Sequence, residues 1–186
     1  MGRAGLDRDA VVAAAAALAD ADGLEALTLA RLAATLGVRA PSLYAHVGGL
    51  ADVRRRLAAR GAQELAGRIQ GAAAGRARRD ALAAVAEAYV AFARERPGTY
   101  AAMQRAPAPG DPDGTAAAAA LLDAVTSVLR GYGLEADDAV HAIRILRAAL
   151  HGFVSLEAAG GFELPVDLDE TFRRLVDLLD SGLSAK

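Results

Sequence analysis

Cysteine and tryptophan are absent from the 186 residues. Without cysteine there is no disulfide framework, no thiolate metal ligand and no thiol nucleophile, which fits a reducing compartment. The three histidines, His46, His141 and His151, are too scattered for a metal cluster. Aromatic residues make up only 4% of the chain, four Phe and four Tyr. Apolar residues reach 54%, but alanine supplies much of that, so the expected core is thin and helical. Strand-like alternation is missing throughout. No run of roughly 18 or more large apolar residues occurs, so no membrane span is expected. The start, Met1-Gly2-Arg3-Ala4 with Asp7 and Asp9 following, lacks a signal-peptide pattern, and Leu6 spoils a myristoylation match. A cytoplasmic protein is expected. Catalytic groupings are missing too: there is no nucleophile–base pair, no Gly-rich phosphate loop and no set of convergent carboxylates. Neither an enzyme nor a cofactor is expected.

The net charge of −2 hides a division. Residues 1–79 hold 12 Arg against 7 acidic residues, a net of +5, and residues 80–186 carry a net of −7. A basic front on an acidic back fits a front half that meets a polyanion, although chance scatter in an Arg-rich chain gives the same split.

Turn residues cut the chain into helical blocks. Asp7 or Asp9 caps a first helix to about Asp20, with Gly23 beyond its end. Thr28 caps a second, which Gly37 closes in the left-handed conformation glycine allows. Pro41 opens a short third helix, which Gly48-Gly49 ends. A fourth starts near Leu50. Further helices are expected at 80–96, in a short piece carrying Tyr100 and Met103, and at about 115–131, 136–158 and 168–183. Three of the six prolines fall in residues 106–114, which read as a loop.

The stretch from Leu27 to Val53, LTLARLAATLGVRAPSLYAHVGGLADV, places two short helices around a tight turn at Gly37-Val38-Arg39. That is the layout of a helix-turn-helix, whose second helix enters the DNA major groove. Small Ala33 lets the helices approach, and Leu32, Leu36, Val38 and Leu43 form the little core that fixes their angle. Ser42, Tyr44 and His46 then face outward between Arg31 and Arg39, and such side chains bond phosphates and base edges. Tyr44, next to Leu43, also reads as core, but its hydroxyl favours water or phosphate. Arg54–Arg56 reads as a solvated face with one member near DNA. Arg3 and Arg8 offer a minor-groove arm, against the default of a disordered terminus.

These residues resemble the tetracycline-repressor (TetR) family of bacterial transcriptional regulators. The matching positions are Leu27-Thr28, Leu32-Ala33, Leu36-Gly37-Val38, Pro41-Ser42-Leu43-Tyr44 and His46-Val47. The stretch LHGFVSLEAAGGFELP at 150–165 is similar to the WHG-type C-terminal regulatory domain of one branch. The resemblance implies an all-α fold: a three-helix helix-turn-helix domain over 1–52, and a helical-bundle ligand-binding and dimerisation domain over 53–186. It implies a homodimer that binds a palindromic operator, with a small-molecule inducer in the C-terminal domain. Carried over, Arg39, Ala40 and Ser42 face base edges, Thr28, Arg31, Tyr44 and His46 hold phosphates, and Pro41 and Leu43 set the direction and anchoring of the third helix. Leu50 departs from the family, which usually has a phosphate-gripping Lys there, and Ala45 stands where a larger residue is common.

The helix at 136–158 is apolar on more than one face, with Val140, Ile143, Leu146, Leu150 and Val154 but also Ile145, Phe153 and Leu156. With the helix at 168–183 it offers half of a four-helix dimer interface, although both helices can also pack within one chain. Tyr89, Phe92, Tyr100 and Met103 are candidates for lining an inducer cavity, with His151 beside them, and core packing explains them equally well. Asp138 and His141 imitate half a metal motif and read as an exposed helix start. The reading is therefore a ligand-responsive repressor. Its rival is an all-α dimeric small-molecule-binding protein without specific DNA binding, which Leu50 favours.

Overall fold

A computed structural model describes residues 6–185. Among them there are α-helices and short 3-10 turns but no strands, as expected. The helices are α1 (Arg8–Asp22), α2 (Leu29–Leu36), α3 (Ala40–Leu43), α4 (Leu50–Ala73), α5 (Arg78–Glu95), α6 (Pro97–Ala102), α7 (Pro112–Leu129), α8 (Ala136–Ala158) and α9 (Leu168–Ser184). They fall into two compact units. The first holds the residues up to Gln63 together with Glu95–Ala118, and the second holds Glu64–Arg94 and the residues from Ala119 on. The expected cut between residues 52 and 53 lies inside α4, and the units divide elsewhere because α6 packs with the first helices.

In the first unit, Asp7 accepts the Ala10 N–H at 2.8 Å and starts α1. Val11, Ala15 and Ala19 follow at helical spacing and are fully buried, with Leu27, Leu32, Leu43, Val53 and Leu57 around them. Burying each such Leu or Val contributes about 1.5–3 kcal/mol. Gly98 of α6 lies against the last turn of α1 so closely that a Cβ there would sit 2.0 Å from the Ala19 carbonyl oxygen.

The core of the second unit joins Leu82 and Ala86 of α5, Leu129 and Tyr132, Leu146 and Leu150 of α8, and Val176, Leu179 and Leu183 of α9. The Tyr132 hydroxyl donates to Asp180 at 2.5 Å, and the Arg78 guanidinium lies 5.1 Å over the Tyr132 ring. Burial, followed by the bond to Asp180, pushes the Tyr132 hydroxyl well above its ordinary pKa.

One helix start needs correction. Helix α7 begins at Pro112, not near 115, because Asp111 accepts the Gly114 N–H at 3.1 Å and proline suits a first turn. Helix α8 is long and apolar enough, by length and composition, to cross a membrane. Alanines supply part of that hydropathy, which a count of large side chains misses. Leu146, Leu150, Phe153 and Val154 of α8 are buried in the protein, and Arg144 and Arg147 lie mid-helix.

Candidate nucleic-acid interface

The geometry of this site starts with α2. The Thr28 hydroxyl oxygen accepts the Arg31 N–H at 3.2 Å and caps the helix. Its other end closes on Gly37 at φ 66°, with Val38 N–H bonded to Ala33 O at 3.0 Å and Gly37 N–H to Ala34 O at 3.1 Å. This is a Schellman closure, which needs the left-handed residue that glycine supplies most easily. Arg39 is extended, and Pro41 sits in the first turn of α3. The helix itself lasts one turn, shorter than expected, and hydrogen-bonded turns continue through His46 and Val47 to Leu43.

Leu43 and Val47 are four residues apart and both are buried. They anchor this stretch to the first unit's core and fix which side faces out. Ser42, Tyr44 and Ala45 are exposed, Arg39 and Pro41 are exposed, and His46 and Ala40 are half-buried. Tyr44 is 63% exposed and its hydroxyl has no hydrogen-bond partner among the described residues, so it is not a core residue. Thr28 and Arg31 are exposed at the start of α2. Arg31 already has partners: it forms an ion pair with Asp22, and its Nη1 donates to Ala26 O at 3.4 Å.

Arg54, Arg55 and Arg56 do not form a solvated face. Arg54 donates to Leu24 O at 3.3 Å and approaches Glu25 at 3.6 Å. Arg55 bridges Asp52 and the buried Asp111, the latter at 2.9 Å. Arg56 pairs with Asp52 at 3.1 Å. Burial raises the Asp52 carboxyl, but the Gly48 N–H at 2.9 Å and the guanidiniums of Arg56 and Arg55 outweigh it and hold its pKa at about 2. Asp52 thereby ties the turn before α4 to that helix. Leu50 is half-buried against the first unit's core, which accounts for an apolar side chain there. Arg8 lies in the first turn of α1 and not in a flexible arm, and Arg3 lies outside the described residues.

The five expected inducer contacts belong to two different units. Phe92, Tyr89 and His151 are in the second unit, while Tyr100 and Met103 are in the first. Phe92 is fully buried with the Arg68 guanidinium 5.2 Å over its ring. Tyr89 and His151 are half-buried, and His151 Nε2 lies 3.5 Å from the Ser155 hydroxyl. A groove of 630 Å³ in the second unit is lined instead by side chains such as Arg79, Glu87, Val90, Arg94 and Phe172. Residues 79, 83, 87, 90 and 94 lie at helical spacing along α5, so this face was traceable in the sequence. Among the described residues no group of three or more His, Asp or Glu is placed to hold a metal.

Comparison with known proteins agrees with this architecture. Residues 82–179 match the model of the tetracyclin repressor-like C-terminal domain. An uncharacterized HTH-type transcriptional regulator of Mycobacterium tuberculosis is 38% identical over 97% of this chain and 83% of its own length. A protein of unknown function from Rhodococcus sp. RHA1 superposes with a TM-score of 0.79 at 27% identity, covering 98% of this chain and 97% of that one. A TetR protein from Acinetobacter baumannii, solved in complex with minocycline, shares the fold with a TM-score of 0.72 at 22% identity, over 97% and 98% of the two chains. The chain belongs to the TetR family of transcriptional regulators.

Proposed function

We propose that this regulator is a repressor that binds a palindromic operator as a homodimer and is released by a small-molecule inducer. It acts in the cytoplasm and performs no catalysis. The observation that carries the reading is the exposed polar stretch Arg39–His46, held outward by buried Leu43 and Val47. An exposed tyrosine beside a serine and an arginine at the start of a short helix is suited to phosphates and base edges in a major groove. Arg39, Ala40 and Ser42 read bases. Tyr44, His46 and Thr28 hold phosphates, and Arg31 joins them by exchanging its Asp22 contact. Pro41 directs the helix.

Dimerisation uses the outer sides of α8 and α9. Ile145, Ala148, Gly152 and Leu156 lie along one stripe of α8, with Ile145 57% and Leu156 52% exposed, and Leu178 of α9 is 70% exposed. Small residues between two large ones let a partner helix approach closely. Two-fold pairing sets reading heads for half-sites about 34–36 Å apart or a multiple of that. Inducer binds in the C-terminal domain, with Tyr89 and His151 as the half-buried side chains available to it there. It shifts the dimer towards a conformation whose heads are wrongly spaced, and its leverage is its differential affinity for the two states, about 1–3 kcal/mol.

The test is titration of the full chain with labelled duplex from upstream of its own gene, against a mixed-sequence duplex. Preference for the first, lost in Ser42→Ala, supports the repressor reading. Equal binding to both, indifferent to that substitution, contradicts it.

A further inference from the structure

Six arginines stand on α1 to α3, on the turn between α2 and α3 and on the first two turns of α4, and the structure sorts them. Arg31, Arg54, Arg55 and Arg56 each have a carboxylate within ion-pair distance. Arg8 and Arg39 have none among the described residues. A cation already neutralised in the free protein contributes less to binding a polyanion, because its acid must be displaced or carried along. The unpaired pair is therefore the more effective one.

Arg39 stands at the start of the exposed stretch 39–46. Arg8 is brought to its other end: its Nε donates to the His46 carbonyl at 3.5 Å, across 38 residues of sequence. Arg8 is exposed, and its two terminal nitrogens have no partner among the described residues. The neighbouring Asp7 carboxylate is turned to the Ala10 N–H, and Asp9 lies about 100° around the helix from Arg8. We infer that Arg8 is a DNA-phosphate anchor, pairing with Arg39 to bracket the recognition stretch with one cation at each end. This rests on the DNA-binding reading above. Holding Nε on a backbone carbonyl orients the remaining edge of the guanidinium, so less freedom is lost when it meets a phosphate.

The experiment measures log K against log[salt] for the full chain, on duplex from upstream of its own gene and on a mixed-sequence duplex. Arg8→Gln should lower the slope by about one on both DNAs and weaken binding by a similar factor on each, because a phosphate contact carries no sequence information. Arg8→Lys should keep the slope. Arg130→Gln, which removes the same charge from the second unit, should leave it unchanged. Unaltered helicity and melting of Arg8→Gln show that α1 is intact. The inference is overturned if Arg8→Gln changes the slope no more than Arg130→Gln does. If the unsubstituted protein shows no salt-dependent binding to either duplex, the DNA-binding reading itself fails, and this inference with it.

Discussion

The carboxylate of Asp20, near the end of α1, accepts the backbone N–H of Thr99 at 2.7 Å and its hydroxyl at 3.2 Å. The first N–H groups of a helix have no partner within it. The side chain of Arg96, at the N-cap of α6, does not cap the helix but reaches Asp20 at 3.5 Å, so another helix provides the cap. Gly98 completes the fit by letting the two backbones touch.

That closeness makes a sharp prediction for two glycines. Gly98→Ala places a methyl where the Ala19 carbonyl already stands, and should destabilise the protein by about 1–3 kcal/mol or more. Gly67→Ala, within α4 with nothing within 4 Å of the added carbon, should stabilise by about 0.5–1 kcal/mol. Urea unfolding of both variants checks the pair. A Gly98→Ala variant as stable as the parent would contradict the packing of α6 on α1.

The Asp52 network predicts a pH dependence. The folded carboxyl titrates at about 2 against 3.8 for the free group. A lowered pKa gives stability that is complete above the unfolded value and lost as pH falls through the folded one. The wild type should therefore hold an advantage of ~2 kcal/mol over Asp52→Asn at neutral pH. That advantage should shrink as pH drops from about 4 towards 2. Unfolding of both proteins across that range tests it, and a difference independent of pH would sink the assignment.

Much of this architecture was legible in the sequence because local signals carry it. Asp7, Thr28, Gly37 and Pro41 each do in the structure what their chemistry demands of a cap or turn. The helix-turn-helix core was readable for the same reason, since Leu32, Val38 and Leu43 are close in sequence as well as in space. Contacts between distant segments were not. Nothing local says that Arg55 meets Asp111, fifty-six residues on, or that Asp20 caps α6. Hence the partners of Arg54–Arg56 and the place of α6 in the first unit come only from the structure. Tyr89 and Tyr100 are close in sequence yet lie in different units, and nothing local says which unit each helix joins.

The outer face of α8 and α9 predicts the oligomer. Leu178→Asp changes a side chain that is 70% exposed in the single chain, so the monomer fold should tolerate it. In the proposed dimer it buries an unpaired charge, which costs several kcal/mol. Sedimentation should show a dimer for the wild type and monomer for Leu178→Asp and Ile145→Asp. Both variants remaining dimeric would move the interface elsewhere.

The most direct test of the central claim concerns Tyr44, the exposed aromatic of the recognition stretch. Binding of duplex DNA from upstream of the gene should be tight, with a salt slope reporting several phosphate contacts. Tyr44→Phe removes only the hydroxyl and should weaken that binding by about 0.5–1.5 kcal/mol while leaving the melting temperature unchanged. Tyr44→Ala should weaken it further. Affinity for this DNA that is unaltered in both variants would contradict the assignment of residues 39–46 as the DNA-reading surface.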